Sequence, residues 1–161
     1  MFTDIDPDSA VVDHFEKFLG VPMVSREVLQ ADTDRVAYFD ACRIAGHLFL
    51  DPTTGLRLSG TKKNPRYLYG DELVRLASDR PRHLTMTFDQ SLSRGSDAKR
   101  QVGQKLSQLT EHGLLGFAYV SHASFIVVGL DGGLVDRARE TLLLRSQLPS
   151  SRLVLASVLN V

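Results

Sequence analysis

A single cysteine, Cys42, stands among 161 residues, so no disulfide can close within the chain, and this usage fits a reducing compartment. No apolar run approaches the roughly 20 residues that a membrane-spanning helix requires. The first residues, MFTDIDPDS, are acidic where a secretory leader would be basic. The expectation is a cytoplasmic protein with no membrane contact. Neither a repeat of solenoid length nor a low-complexity tract is present. Short catalytic signatures are missing too. GxxxxGKS/T and GxGxxG do not occur, which argues against a P-loop nucleotide enzyme and an ordinary dinucleotide dehydrogenase. No serine sits in a G-x-S-x-G elbow, no HxH or HExxH supplies a zinc pair, and Cys42 does not open a Cys-x₅-Arg phosphate loop.

Net charge is also absent, but the zero hides a polarity. Residues 1–40 carry nine acids against three bases, while residues 57–105 carry eleven bases against five acids. A basic middle of this kind would attract a nucleic acid or a phosphorylated ligand. It would equally serve to dock an acidic arm or a protein partner, or simply solvate helix faces.

What the chain does have is periodic structure. Its length and its 43% apolar content suit one domain, residues 1–161, with a sizeable core. Residues 1–34 read as a helical cover: Ser9 caps a helix carrying Val11, Val12, Phe15, Phe18 and Leu19, Gly20 and Pro22 stop it, and a short second helix starts at Ser25. Residues 35–161 read as the sheet-forming core. Val36–Phe39 is apolar on both alternations, as in a strand buried on both faces, and ends at Asp40. Asp51-Pro52-Thr53-Thr54-Gly55 is turn chemistry between two apolar runs and predicts a β-hairpin. Asn64-Pro65 opens a helix to about Ser78. Leu84, Met86 and Phe88 alternate with threonines in a strand that turns its apolar face to the core and ends at Asp89. Residues 96–112 give the clearest helix, capped by Ser96, with Ala98, Val102, Leu106 and Leu109 at helical spacing and Gly113 as terminator. Strands at 115–120 and 125–128, a helix ended by Pro149 and an apolar strand over 152–161 complete the chain.

This order points to an α/β single-domain sandwich with a mixed, partly parallel sheet and helices on its faces. The alternative is a ferredoxin-like βαββαβ core in residues 83–161 with an N-terminal helical and hairpin extension.

In open α/β sheets, ligands bind beyond the carboxyl ends of the parallel strands. On this reading Asp40, Asp89 and His122 gather there. Asp40 and Asp89 would hold Mg²⁺ or Mn²⁺, His122 would act as base or further ligand, and Arg43, Lys62, Lys63 and Arg94 would contact phosphate. The corresponding function is metal-assisted processing of a nucleotide or nucleic-acid phosphodiester. The competing explanation is that strand-end acids are turn and helix caps. Two smaller groups stand beside it. His47 and Asp51, near Arg43, share a strand face by period two, and Tyr67 and Tyr69 adjoin the basic loop Lys62-Lys63-Arg66 as stacking platforms for a single strand would.

YFDACRIAG resembles the first motif of Rossmann-like methyltransferases, an acid after strand one followed by glycines, and TFDQS sits where that family keeps Asp/Asn-Pro-Pro-Tyr. The resemblance implies a cofactor pocket at the Asp40–Gly46 loop. The chain departs from the family in having only Gly46 near Asp40 and no double proline. A third reading, a non-catalytic interaction module, requires instead a contiguous exposed apolar or basic face.

Overall fold

Seven short strands divide between two sheets in a computed structural model of the chain, which describes residues 13–14, 16–18, 20–25, 27–60, 62–92, 97–122, 124–146 and 148–156. The expected caps Ser9 and Ser96, the helix residues Val11, Val12, Phe15 and Leu19, the phosphate contact Arg94 and the end of the last strand (157–161) lie outside the described residues. The strands are β1 (Leu48–Leu50), β2 (Gly55–Arg57), β3 (Tyr67–Tyr69), β4 (Thr85–Asp89), β5 (Leu115–Val120), β6 (Ser124–Gly129) and β7 (Leu153–Leu155). The helices are α1 (Arg35–Ala41), α2 (Gly70–Ser78), α3 (Ala98–Glu111) and α4 (Gly132–Ser146). The main sheet has the order β1-β4-β6-β5-β7, and β2 pairs with β3 in a separate parallel ribbon. Only β1 and β4 run parallel in the main sheet; its other pairings are antiparallel. This is the expected α/β fold with a mixed, partly parallel sheet.

Strand order explains the layers. The crossovers β4-α3-β5 and β6-α4-β7 both step two places in the same direction, but β4 and β6 run oppositely. Right-handed crossovers therefore put α3 and α4 on opposite faces. The packing agrees. Val102, Leu106 and Leu109 of α3 join Ala118, Ile126 and Val128 in the larger core, whereas Val135, Ala138 and Leu142 of α4 pack with Phe117 and Val127. The βαββαβ element order of the ferredoxin-like alternative is present, but its last strand lies beside β5 instead of returning to the side of β4.

Several local expectations give way. Residues 35–41 are a helix, not a strand. Asp34 accepts hydrogen bonds from Val36 N (3.0 Å) and Ala37 N (3.2 Å), which fixes a helix start. Helical spacing then buries Tyr38, Phe39 and Cys42 together. The turn at 51–55 does not close a hairpin, because β1 pairs with β4 and β2 with β3. Residues 27–30 form no second helix, and residues 67–69 are strand, so α2 begins only at Gly70. Asp97 caps α3, its side chain accepting from Lys99 N and Arg100 N. Gly113 does end that helix, at φ +82°. The most consequential reversal concerns β4. Its threonine face is the better buried: Thr85, Thr87 and Asp89 are fully buried beneath α2 and α3, while Met86 and Phe88 are half-buried on the side of α4.

Candidate functional site

Asp89 closes β4 and is fully enclosed. Its Oδ1 accepts from Leu56 N (3.1 Å), Ser91 N (3.0 Å) and Ser91 Oγ (2.6 Å), and its Oδ2 accepts from Lys105 Nζ at 2.6 Å. Lys105 also donates to Leu56 O (2.7 Å) and Ser91 Oγ (2.8 Å). One carboxylate thus ties β4, α3 and the β2–β3 ribbon together. Gly55, at φ +134°, passes so close that an added Cβ would collide with the Asp89 carboxylate. Both carboxylate oxygens are thus already engaged by protein donors.

Asp40 sits elsewhere. It is in the last turn of α1 and accepts from Arg75 of α2 and from Arg43 (3.1 Å), and Arg43 also meets Asp79 at 2.9 Å. This cluster lies at the starting end of β4, where Arg80 joins Ile44 O to Thr85 Oγ1. Asp89 lies at the other end, so roughly 13 Å of strand separates the two acids. His122 is exposed in the β5–β6 turn at the Asp89 end, where Asp89 is paired with Ser124. The sheet therefore brings His122 and Asp89 to one end and leaves Asp40 at the other. Among the described residues, no group of three histidine, cysteine, aspartate or glutamate side chains is placed to hold a metal ion.

The basic candidates separate as well. Lys62 is exposed. Lys63 meets Asp71 and Glu72. Burial alone would lower its pKa, but the hydrogen bonds to those two acids hold it above the ordinary lysine value. Tyr69 is buried, its hydroxyl accepting from Asn64 N (2.8 Å), so it anchors the loop. Tyr67 stacks under Arg57, whose guanidinium carbon is 4.2 Å from the ring centroid.

A cleft opens on the α4 side of the sheet. Strand alternation puts Phe49, Met86, Val127, Phe117 and Leu155 in one row across all five strands, each opposite the next. A second row runs Phe88, Phe125, Tyr119, Leu153. The α4 helix covers the middle of this floor with Val135, Ala138 and Leu142. At the flanks Phe49 stays 41% and Leu155 50% exposed. Between α1, α4 and the Val21–Ser25 segment the floor opens as a cleft of about 840 Å³. Its walls are apolar, with Glu16, Tyr38, Cys42, His47, Asp51 and Tyr119 as its ionisable lining groups. Burial pushes the Tyr38 phenol up to about 12, and it raises the Cys42 thiol and the Asp51 carboxyl. His47 Nδ1 accepts from Leu84 N at 2.9 Å. His47 and Asp51 do share a face, with Phe49 between them.

Compared with family models, with curated proteins and with solved structures, the chain matches none. Among the described residues, no helix is long and apolar enough to cross a membrane.

Two features escaped the sequence. Lys105 falls three residues after Val102 and one before Leu106, on the inward flank of α3, and a lysine there signals a buried acid partner. The floor of the cleft was visible only as strands apolar on both alternations, which marks burial on two faces without saying that one is incompletely covered.

Proposed function

We propose that this chain is a binding module whose recognition surface is the apolar cleft on the α4 side of the sheet. The observation that carries this reading is the cleft itself: about 840 Å³, floored by two cross-strand rows of large apolar side chains. Ligand pockets commonly span roughly 300–1,000 Å³, with apolar walls and a few placed polar groups. An apolar floor left open to water is costly unless something covers it.

Support for phosphodiester processing is thinner. It would need Asp40 and Asp89 to share a cation, whereas each is engaged by basic side chains at its own end of β4. A methyltransferase-like cofactor domain draws on one observation, since Ile44 and Ala45 of the loop after Asp40 line the cleft. But Asp40 turns to arginines instead of a ribose, and the apolar walls suit a hydrocarbon better than a nucleoside.

The test is a titration with Nile red, a neutral apolar fluorophore, on the wild-type chain and on Met86→Trp, which fills the floor. Saturable one-to-one binding that weakens in Met86→Trp, with an undiminished melting temperature, is the expected result. Unsaturable uptake, or equal binding by both proteins, would remove the cleft from consideration.

A further inference from the structure

Most polar groups on the cleft lining are spent on the protein itself. Tyr38 donates its phenol to Glu27 O at 3.3 Å, Cys42 Sγ donates to Tyr38 O at 3.5 Å, and Ser25 Oγ accepts from Glu27 N at 3.2 Å. Glu16 accepts from Met23 N and is engaged further, and the positive amino end of the chain already acts on Asp51. No lysine or arginine lines the cleft. Charge of either sign on a ligand therefore meets no waiting partner. Tyr119 adds a hydroxyl that can donate or accept, so it does not choose between ligands. His47 does choose. Its Nδ1 accepts from Leu84 N at 2.9 Å, and an imidazole that accepts at Nδ1 is neutral and carries its proton at Nε2. That bond stands in for a backbone carbonyl at the start of the β1–β4 ladder, beside Leu48 N donating to Leu84 O at 3.0 Å, and it holds the ring in place. Across the ring, Nε2–H points almost opposite to Nδ1, away from β4. Among the described residues no acceptor meets it, and His83, packed edge-to-face with ring centroids 5.8 Å apart, takes no hydrogen bond from it. The cleft thus presents one fixed group that can only donate.

Resting on the binding reading above, we infer that the ligand is a neutral lipophilic carbonyl compound, an ester or a ketone, whose carbonyl oxygen accepts from His47 Nε2 while its hydrocarbon lies over Phe49 and Met86. The register sets these positions. His47 and Phe49 are two residues apart on one strand face, and Phe49 stands opposite Met86. The hydrocarbon covers surface that is otherwise wet. A carbonyl takes a donor and brings none of its own, whereas a hydroxyl or an amine brings a further donor that has to be satisfied in turn. Because Leu84 already fixes the ring, little freedom is lost when the ligand's oxygen arrives.

The test uses methyl octyl ketone and its methylidene analogue, in which CH₂ replaces the carbonyl oxygen, as competitors of bound Nile red on the full chain and on His47→Asn. The asparagine side chain retains an oxygen to accept from Leu84 N but loses the Nε2 donor, so the variant should melt with wild type. The ketone is expected to bind His47→Asn about fivefold more weakly, the worth of one neutral hydrogen bond, with the methylidene analogue changed by less than about twofold. Infrared spectra should place the carbonyl stretch of the bound ketone below its value in hexane for wild type and back towards that value for His47→Asn. Equal losses for both competitors would make His47 a structural residue and overturn the assignment. A wild-type carbonyl stretch equal to that in hexane would overturn it whether or not the variant folds. Nile red that neither competitor displaces would overturn the carbonyl class and leave the cleft a binding site. No saturable binding of Nile red or ketone would overturn the binding reading as well.

Discussion

Replacing Asp89 by Asn separates a structural tie from a metal ligand. The substitution keeps the shape of the side chain, and Oδ1 can still accept from Leu56 N, Ser91 N and Ser91 Oγ. What changes is the other atom. Oδ2 takes only Lys105 Nζ, at 2.6 Å, and an amide nitrogen in its place would set a donor against an ammonium. Lys105 is 14% exposed and Asp89 fully buried, so neither group can turn to water. Removing one member of a buried pair costs about 3–5 kcal/mol. At about 2–4 °C per kcal/mol for a chain of this length, melting should fall by roughly 6–20 °C. The assay is thermal unfolding followed by circular dichroism, with and without Mg²⁺ or Mn²⁺. A partner variant, Lys105→Met, should cost a similar amount, because it strands Oδ2. The double variant should be less damaged than the two single losses added, by about 2 kcal/mol of coupling. An Asp89→Asn protein that melts within about 2 °C of wild type, or higher, would refute this reasoning. Relief of repulsion between clustered acids would give that result, and a divalent-cation stabilisation lost in the variant would return the metal reading to the front.

Other consequences can be measured on the same preparations. Gly55→Ala forces a Cβ onto the Asp89 carboxylate at φ +134° and should cost about 2 kcal/mol or more, read as a lower urea midpoint with unchanged slope. Glu72→Gln should cost about 3 kcal/mol in the same unfolding assay, because this buried carboxylate accepts from Arg35 Nε (2.6 Å), Arg35 Nη2 (2.8 Å) and Tyr69 N (2.9 Å). Arg43→Ala acts at an exposed pair and should change stability by no more than about 1 kcal/mol. Asp51 gives a pH signature of opposite sign to a salt-bridged acid. Its folded pKa is raised by burial, so ionisation opposes folding above that pKa, and the penalty is relieved as pH falls towards the unfolded value. Asp51→Asn should therefore melt higher than wild type at neutral pH, and the difference should close below about pH 4.

The elements that were legible in the sequence are those in which a single period and its stop signals agree. The α3 helix has Val102, Leu106 and Leu109 on one stripe and Gly113 at its end; the β5–β6 pair has two apolar runs, at 115–120 and 125–128, readable as strands whether a turn or direct continuation joins them. Both stand as expected. Residues 35–41 were ambiguous because Val-Ala-Tyr-Phe satisfies a buried strand and a short helix alike, and only Asp34, a cap that reads equally well as part of a turn, distinguishes them. The 51–55 turn was recognised correctly as a turn and misread as a hairpin, since turn chemistry is local and the choice of partner strand is not. Asp89 was singled out as an acid at a strand end, which it is. Its meaning depended on Lys105, sixteen residues away, and on Leu56, thirty-three residues away, and neither contact leaves a local trace.

The cleft follows from the same non-local decision that separates this sheet from a ferredoxin-like one. Were β7 beside β4, the β6-α4-β7 crossover would step the other way, and its right-handedness would stack α4 beside α3, leaving the far face without a helix of its own. With β7 beside β5, α4 crosses to that far face. At 15 residues it is about 22 Å long. Five strands spaced about 4.8 Å apart span roughly 19 Å before side chains are added, and a helix with its side chains is only about 10 Å wide. One helix lying over β5 and β6 therefore cannot cover β1 and β4 as well. The neighbouring layer there is α1, whose Tyr38, Phe39 and Cys42 join the larger core and edge the cleft without closing it. The uncovered strip is the strip that holds Phe49 and Met86, with Asp51 at its end. A sheet of this order and width leaves an apolar groove one helix wide, and the sequence has placed large apolar side chains and a half-buried acid along it where solvent alone would favour polar ones.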